Sequence, residues 1–93
     1  MRESDTVDPE TLRRLKVLAA RALGDPDMAG RIGDDADLVD ELGLDSIQMI
    51  QFLLGTEDEF DLELDFEALE LDHIRSVRLF AVFVLREVAR AGR

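Results

Sequence analysis

Cysteine is absent from this 93-residue chain, which leaves neither a disulfide framework nor a thiolate metal site open to it and agrees with a reducing compartment. No apolar run approaches the roughly 20 residues that a membrane-spanning helix needs. The opening stretch Met1-Arg2-Glu3-Ser4-Asp5-Thr6-Val7-Asp8 is polar and acidic, unlike a secretory signal. Together these absences predict a cytoplasmic protein with no membrane span. Histidine occurs once, at His73, and the strained Gly-x-Ser-x-Gly turn of serine hydrolases is missing. A serine nucleophile would therefore lack its base and its oxyanion site. The chain is expected not to be an enzyme, and His73 is expected in a loop or at a helix end.

Positive charge is missing from the whole middle of the chain. Residues 34–73 hold fifteen acids and no Lys or Arg, residues 1–33 are neutral, and residues 74–93 carry a net +4, which gives −11 in all. A block of one sign repels phosphate backbones, so nucleic acid is excluded as a partner. The same block attracts basic protein surfaces and speeds encounter with them. Acids also keep small domains soluble, but here they surround the most distinctive motif of the chain.

What is present reads as helices joined by loops, in one domain with one modest core. Asp8-Pro9-Glu10 is a helix start, with Asp to cap and Pro at the first position. Leu12, Leu15, Leu18, Ala19, Ala22 and Leu23 follow at three- and four-residue spacing until Gly24-Asp25-Pro26 stops the helix. Residues 24–45 form a long loop with Ile32, Leu38, Val39, Leu42 and Leu44 as expected anchors. A second helix is predicted from Asp45 or Ser46 to about Phe60, with Gln48, Gln51, Gly55 and Asp58 as an exposed polar stripe. Ile50, Leu53, Leu54 and Phe60 are assigned to its opposite face, flanked by Met49 and Phe52. Gly55 on the exposed stripe would leave room for a partner's side chain. A turn or two of helix is expected near Phe66–Leu71, although Leu62, Leu64 and Phe66 also alternate as a short strand would. The last helix begins near Ser76 and buries Val77, Phe80, Ala81, Val84, Leu85 and Val88, with Arg86, Arg90 and Arg93 at the end that the dipole favours for cations. The fold class is all-α, a small bundle of three long helices plus one short helix.

The distinctive motif is Glu41-Leu42-Gly43-Leu44-Asp45-Ser46-Ile47, a glycine-bearing turn that delivers an Asp-Ser pair to the head of an amphipathic helix. Gly43 gives the turn permissive backbone angles, and Asp45 can cap the helix. Ser46 is either an N-cap or an exposed hydroxyl at a helix start, where free N–H groups and the dipole favour an attached anion.

Four stretches together resemble the acyl carrier protein family over nearly the whole domain. They are Asp37-Leu38-Val39-Asp40-Glu41-Leu42-Gly43, Leu44-Asp45-Ser46-Ile47, Glu57-Asp58-Glu59-Phe60 and Ile74-Arg75-Ser76-Val77. The resemblance implies a single acyl-carrier-like domain over residues 1–93, with residues 1–7 a flexible amino terminus. It implies 4′-phosphopantetheine from coenzyme A as the covalent cofactor, carried on Ser46, with a terminal thiol that holds cargo as thioesters. The implied partners are a phosphopantetheinyl transferase, an acyl- or aminoacyl-loading enzyme, and synthases or transferases with basic docking surfaces. Asp45, Ile47, Gln48, Gln51, Glu57 and Asp58 are the residues implied to meet them. By the same resemblance Asp45 helps hold metal in the transferase complex, while the chain itself has no metal site. A monomer is expected, and the short chain starting at Met1 suggests a free-standing carrier.

Family members often carry acids where this chain has Gln48 and Gln51, which points to a specialised, polyketide-like or other secondary pathway. Gly43-Leu44-Asp45-Ser46 is closer to acyl carriers than to peptidyl carriers, but D-alanyl and other aminoacyl carriers also use Leu-Asp-Ser, so that cargo stays open. Phe66 stands where proline is frequent. Its ring either lines the inter-helix space that shelters acyl chains in some carriers or packs in the core, and core packing is the expectation for it as for Phe52, Phe60, Phe80 and Phe83. Two rivals fit less well. Asp25, Asp27, Gly30 and Ile32 follow part of a calcium-loop pattern, but Ala29 and Ala36 stand where oxygen ligands are required. An acidic adaptor with no prosthetic group would explain the charge but not the motif.

Overall fold

Asp8 opens the first helix by accepting the Glu10 N–H, and Pro9 presets the first turn, so α1 runs Pro9–Ala22 in a computed structural model that describes residues 7–91. Gly24 ends it at φ +80°, a conformation that a side chain would strain. Leu12, Leu15, Leu18, Ala19 and Ala20 line its buried face. The second helix, α2, spans Ser46–Phe60, and the third, α3, spans Val77–Ala91. One 3-10 helix, Pro26–Arg31, lies in the first connection and another, Leu71–Arg75, in the second. No strand forms among the described residues, so the expected all-α bundle is what folds. The alternating Leu62, Leu64 and Phe66 lie in irregular chain and a turn, and the short helical element begins at Leu71 rather than at Phe66.

The core is built where all three helices meet. Phe52 of α2 packs on Phe80 of α3 with ring centroids 5.0 Å apart, and Phe80 lies 6.0 Å from Phe83. Leu15 and Leu38 are fully buried beside them. Phe60 is half-buried against this core. His73 falls in the second 3-10 helix, where its Nδ1 accepts the Glu70 N–H and its ring stacks on Phe83.

Several side chains sit differently from expectation. α2 turns Phe52 and Thr56 inward, with Met49, Leu53 and Phe60 half-buried, and leaves Ile50 and Leu54 more than half exposed. Gly55 is not on an open stripe: it faces α1, and a methyl placed there would lie 3.2 Å from Leu18 Cδ2. Thr56 tolerates full burial because its hydroxyl donates to the Phe52 carbonyl one turn back. Val39 is exposed, since the turn that holds it points its side chain away from the core that Leu38 enters. In α3 the buried positions include Phe83 and Glu87, whereas Val88 lies at the surface. Phe66 is not core either, being about half exposed. Val7 is buried, while residues 1–6 and Arg93 lie outside the described residues.

The long first connection is held tightly, and that fixes the head of α2. The N–H groups of Val77 and Arg78 donate to the carbonyls of Ala36 and Asp34, and the Leu38 N–H donates to Ile74. Ile32, Ala36, Leu38 and Leu44 enter the core from this segment. Lys16 pairs with Asp34, and Arg78 with Asp34 and Asp35, so α1 and α3 grip the same corner.

Candidate functional site

The turn before α2 is organised by Asp37. Its carboxylate accepts the N–H groups of Val39 and Asp40, both at 2.8 Å, and its carbonyl accepts those of Glu41 and Leu42. Gly43 then reverses the chain at φ +78°, Leu44 plugs into the core, and Asp45 arrives at the N-cap.

Asp45 and Gln48 form a reciprocal capping box. The Gln48 N–H donates to Asp45 Oδ1 at 2.8 Å, and the Asp45 N–H donates to Gln48 Oε1 at 3.0 Å. The cap is therefore Asp45 and not Ser46. Ser46 is the first residue of the helix, it is exposed, and its hydroxyl has no hydrogen-bond partner among the described residues. The N–H groups of Ser46 and Ile47 precede the first intrahelical bond, Met49 N–H to the Asp45 carbonyl, and lie at the positive end of the dipole. An exposed hydroxyl beside two N–H groups without intrahelical partners is a place where an attached anion is favoured.

The other candidate residues divide into two sets. Ile47, Gln51 and Asp58 are exposed, with Ile50 and Leu54, along one side of α2. Ile47 is the most exposed large apolar residue among the described residues, at 68%. Gln48 and Glu57 are half-buried and engaged internally, Gln48 in the cap and Glu57 through its carboxylate, which accepts the Leu64 N–H at 2.8 Å. Among the described residues Asp45 and Asp58 have no cationic partner, whereas Glu59 lies 3.5 Å from Arg14. The shifted carboxyls lie elsewhere: hydrogen bonds from Arg13 lower Glu10, and those from Arg78 lower Asp35, below their ordinary ranges. The Asp25–Ile32 stretch folds as the first 3-10 helix and its cap residues, and no described cluster of His, Asp or Glu gathers to hold a metal.

An apolar recess of about 260 Å³ opens beside this face, lined by Ile50, Leu53, Leu54 and Phe66. These residues were not singled out together by sequence, yet a signal existed: Ile47, Met49, Ile50, Phe52, Leu53 and Leu54 are too many apolar residues for one buried stripe. A larger groove of about 490 Å³, bounded by Pro9, Lys16, Gly30 and Arg78, takes no residue from α2.

Residues 13–81 match the family described as "Phosphopantetheine attachment site". The acyl carrier protein of Bdellovibrio bacteriovorus is 33% identical over 66 residues, which cover 69% of this chain and 81% of that protein. The acyl carrier protein of Caulobacter vibrioides is 28% identical over 81 residues, covering 86% of this chain and 97% of the relative. That of Buchnera aphidicola is 32% identical over 57 residues, or 61% of this chain and 69% of its own length. The chain belongs to the phosphopantetheine-attachment family of acyl carrier proteins, as a non-catalytic carrier. No helix among the described residues is long and apolar enough to cross a membrane.

Proposed function

We propose that Ser46 takes the phosphopantetheine and that the chain is a monomeric, cytoplasmic carrier of acyl intermediates. The observation that carries this is the position of Ser46 at the head of α2, exposed and without a hydrogen-bond partner, because Asp45 caps the helix in its place. A phosphopantetheinyl transferase would move the group from coenzyme A: the Ser46 Oγ–P bond forms, the pyrophosphate bond breaks, the nucleotide half leaves, and the hydroxyl proton passes to a base of the transferase. Once bound, the group supplies the thiol on which cargo is held as a thioester.

Asp45, Ile47, Gln51 and Asp58 would meet partners, with acids at the two ends of the face drawing basic rims into register. Gln48 and Glu57 would serve the same face from within, through the cap and the Leu64 amide. The amide side chains of Gln48 and Gln51 support a specialised pathway over an ordinary fatty-acid synthase, and the apolar recess favours an acyl chain over an amino acid. The test is loading. The phosphopantetheine form should accept acyl groups from an acyl-activating enzyme and no amino acids from aminoacyl-activating enzymes, while Ser46→Ala accepts neither. Aminoacyl loading alone would reassign the cargo, and loading of the Ala variant would remove Ser46 from the account.

A further inference from the structure

The buried acid of α3 is not explained by packing. Glu87 follows Phe80, Phe83 and Val84 on the core side of the helix and is 6% exposed, a place where an aliphatic side chain would be buried at lower cost. What Glu87 does there is bind backbone. Its Oε1 accepts the Asp65 N–H at 3.1 Å, and its Oε2 accepts from Arg90 at 2.8 Å, so both oxygens are satisfied. One residue earlier, the Leu64 N–H donates to Glu57 of α2 at 2.8 Å. Two consecutive amides of one loop are thus held by carboxylates from two different helices, and Leu64 itself is buried.

The next residue is Phe66. Three walls of the apolar recess, Ile50, Leu53 and Leu54, belong to α2, and Phe66 supplies the loop-borne wall. The turn that follows is closed by Asp65, whose carbonyl accepts the Ala68 N–H and whose carboxylate accepts the Glu67 N–H. With Leu64 and Asp65 tied to α2 and α3 and the following turn closed back on Asp65, the loop cannot carry Phe66 away without breaking a charge-assisted hydrogen bond, the stronger kind. We infer that Glu57 and Glu87 are positioning residues that hold Phe66 in the wall of the recess and so govern how well the recess holds an acyl chain. The cargo half of this statement rests on the function proposed above. The backbone half does not.

Glu87→Leu keeps the packing and removes the acceptor, and Glu87→Gln keeps an acceptor oxygen. Glu87 itself is buried, and the one surface side chain that it pairs with among the described residues is Arg90. Two readouts are taken by NMR on wild type and both variants: amide exchange of Leu64 and Asp65, and the shifts of Ile50, Leu54 and Phe66 between acetyl- and octanoyl-loaded protein. Glu87→Leu should speed Asp65 exchange by at least about tenfold while amides of the Phe52–Phe80 core stay protected, and should diminish the octanoyl shifts. Glu87→Gln should largely keep both, and Glu57→Ala should repeat the loss at Leu64. Unchanged exchange in Glu87→Leu overturns the backbone half, and unchanged octanoyl shifts overturn the cargo half. If octanoyl moves none of the three residues in wild type, the recess does not shelter cargo; the cargo half then fails with that reading, and amide exchange still decides the backbone half.

Discussion

Asp45 and Gln48 hold each other across the first turn of α2, each donating a backbone N–H to the other's side chain, and this exchange frees the Ser46 hydroxyl. Had Ser46 been the cap, its oxygen would have been turned back onto the helix. Asp45→Ala should therefore cost about 1 kcal/mol of stability, while Asp45→Asn, which keeps the acceptor, should cost a few tenths at most. Urea denaturation measures that difference. Phosphopantetheine transfer separates the roles further: if Asp45 also acts through its charge, the Asn variant should be slow to modify although it is fully folded.

Gly55 is packed against Leu18, and an alanine there sets two effects of similar size against each other. Helix propensity favours Ala by about 1 kcal/mol, while the new methyl would lie 3.2 Å from the end of a leucine side chain that can yield. Gly55→Ala should be neutral or slightly stabilising. Gly55→Val, which adds bulk that Leu18 cannot clear, should destabilise by roughly 1–3 kcal/mol. Thermal unfolding of the two variants checks both signs.

Acid should loosen the corner that anchors the first connection. Hydrogen bonds from Arg78 lower the Asp35 carboxyl below its ordinary value, so its contribution is present above the unfolded-state value and is lost as pH falls through the folded one. Asp35→Asn should unfold at a lower temperature than wild type near neutrality, and the gap should close in acid as pH falls through the lowered folded-state value. Melting curves across that range test it. A constant gap would mean that the ion pair is not the source.

Between Asp45 and Glu57, α2 carries no charge, and its exposed side is Ile47, Ile50, Gln51 and Leu54. Docking should then depend on apolar contact more than on ion pairs. Ile47→Ala should raise the transferase KM by roughly 5- to 30-fold, by loss of about 1–2 kcal/mol of burial, with kcat little changed. Asp58→Asn should have a smaller effect that vanishes in high salt. Steady-state kinetics at two ionic strengths distinguish these outcomes.

Much of this was legible in the residues, for stated reasons. Asp8-Pro9 and Gly24 bound α1 because capping and left-handed backbone are local demands. Asp45-Ser46 marked the head of α2 for the same reason, and the all-α class followed from helical spacing in three segments. The facing of α2 was not legible. Six of the eight residues from Ile47 to Leu54 are apolar, so periodicity cannot say which stripe is buried, and Phe52 with Thr56 prevails only because Phe80 and Leu18 lie opposite. Phe66 and Val39 were misassigned because a hydrophobic residue in a connection is buried or exposed according to turns set by distant side chains, here Glu87 and Asp37. Glu87 itself gave no signal, since its value lies in an amide twenty-two residues away.

The most direct test of the account is the intact mass of the protein after incubation with coenzyme A, magnesium and a broad-specificity phosphopantetheinyl transferase, followed by fragmentation of the tryptic peptide Ile32–Arg75. That peptide contains Ser46 and Thr56 as its hydroxyl candidates. One phosphopantetheine should be added, located on Ser46 and absent from Ser46→Ala. Addition at another residue, or none to a folded wild type while a known carrier is modified in parallel, would contradict it.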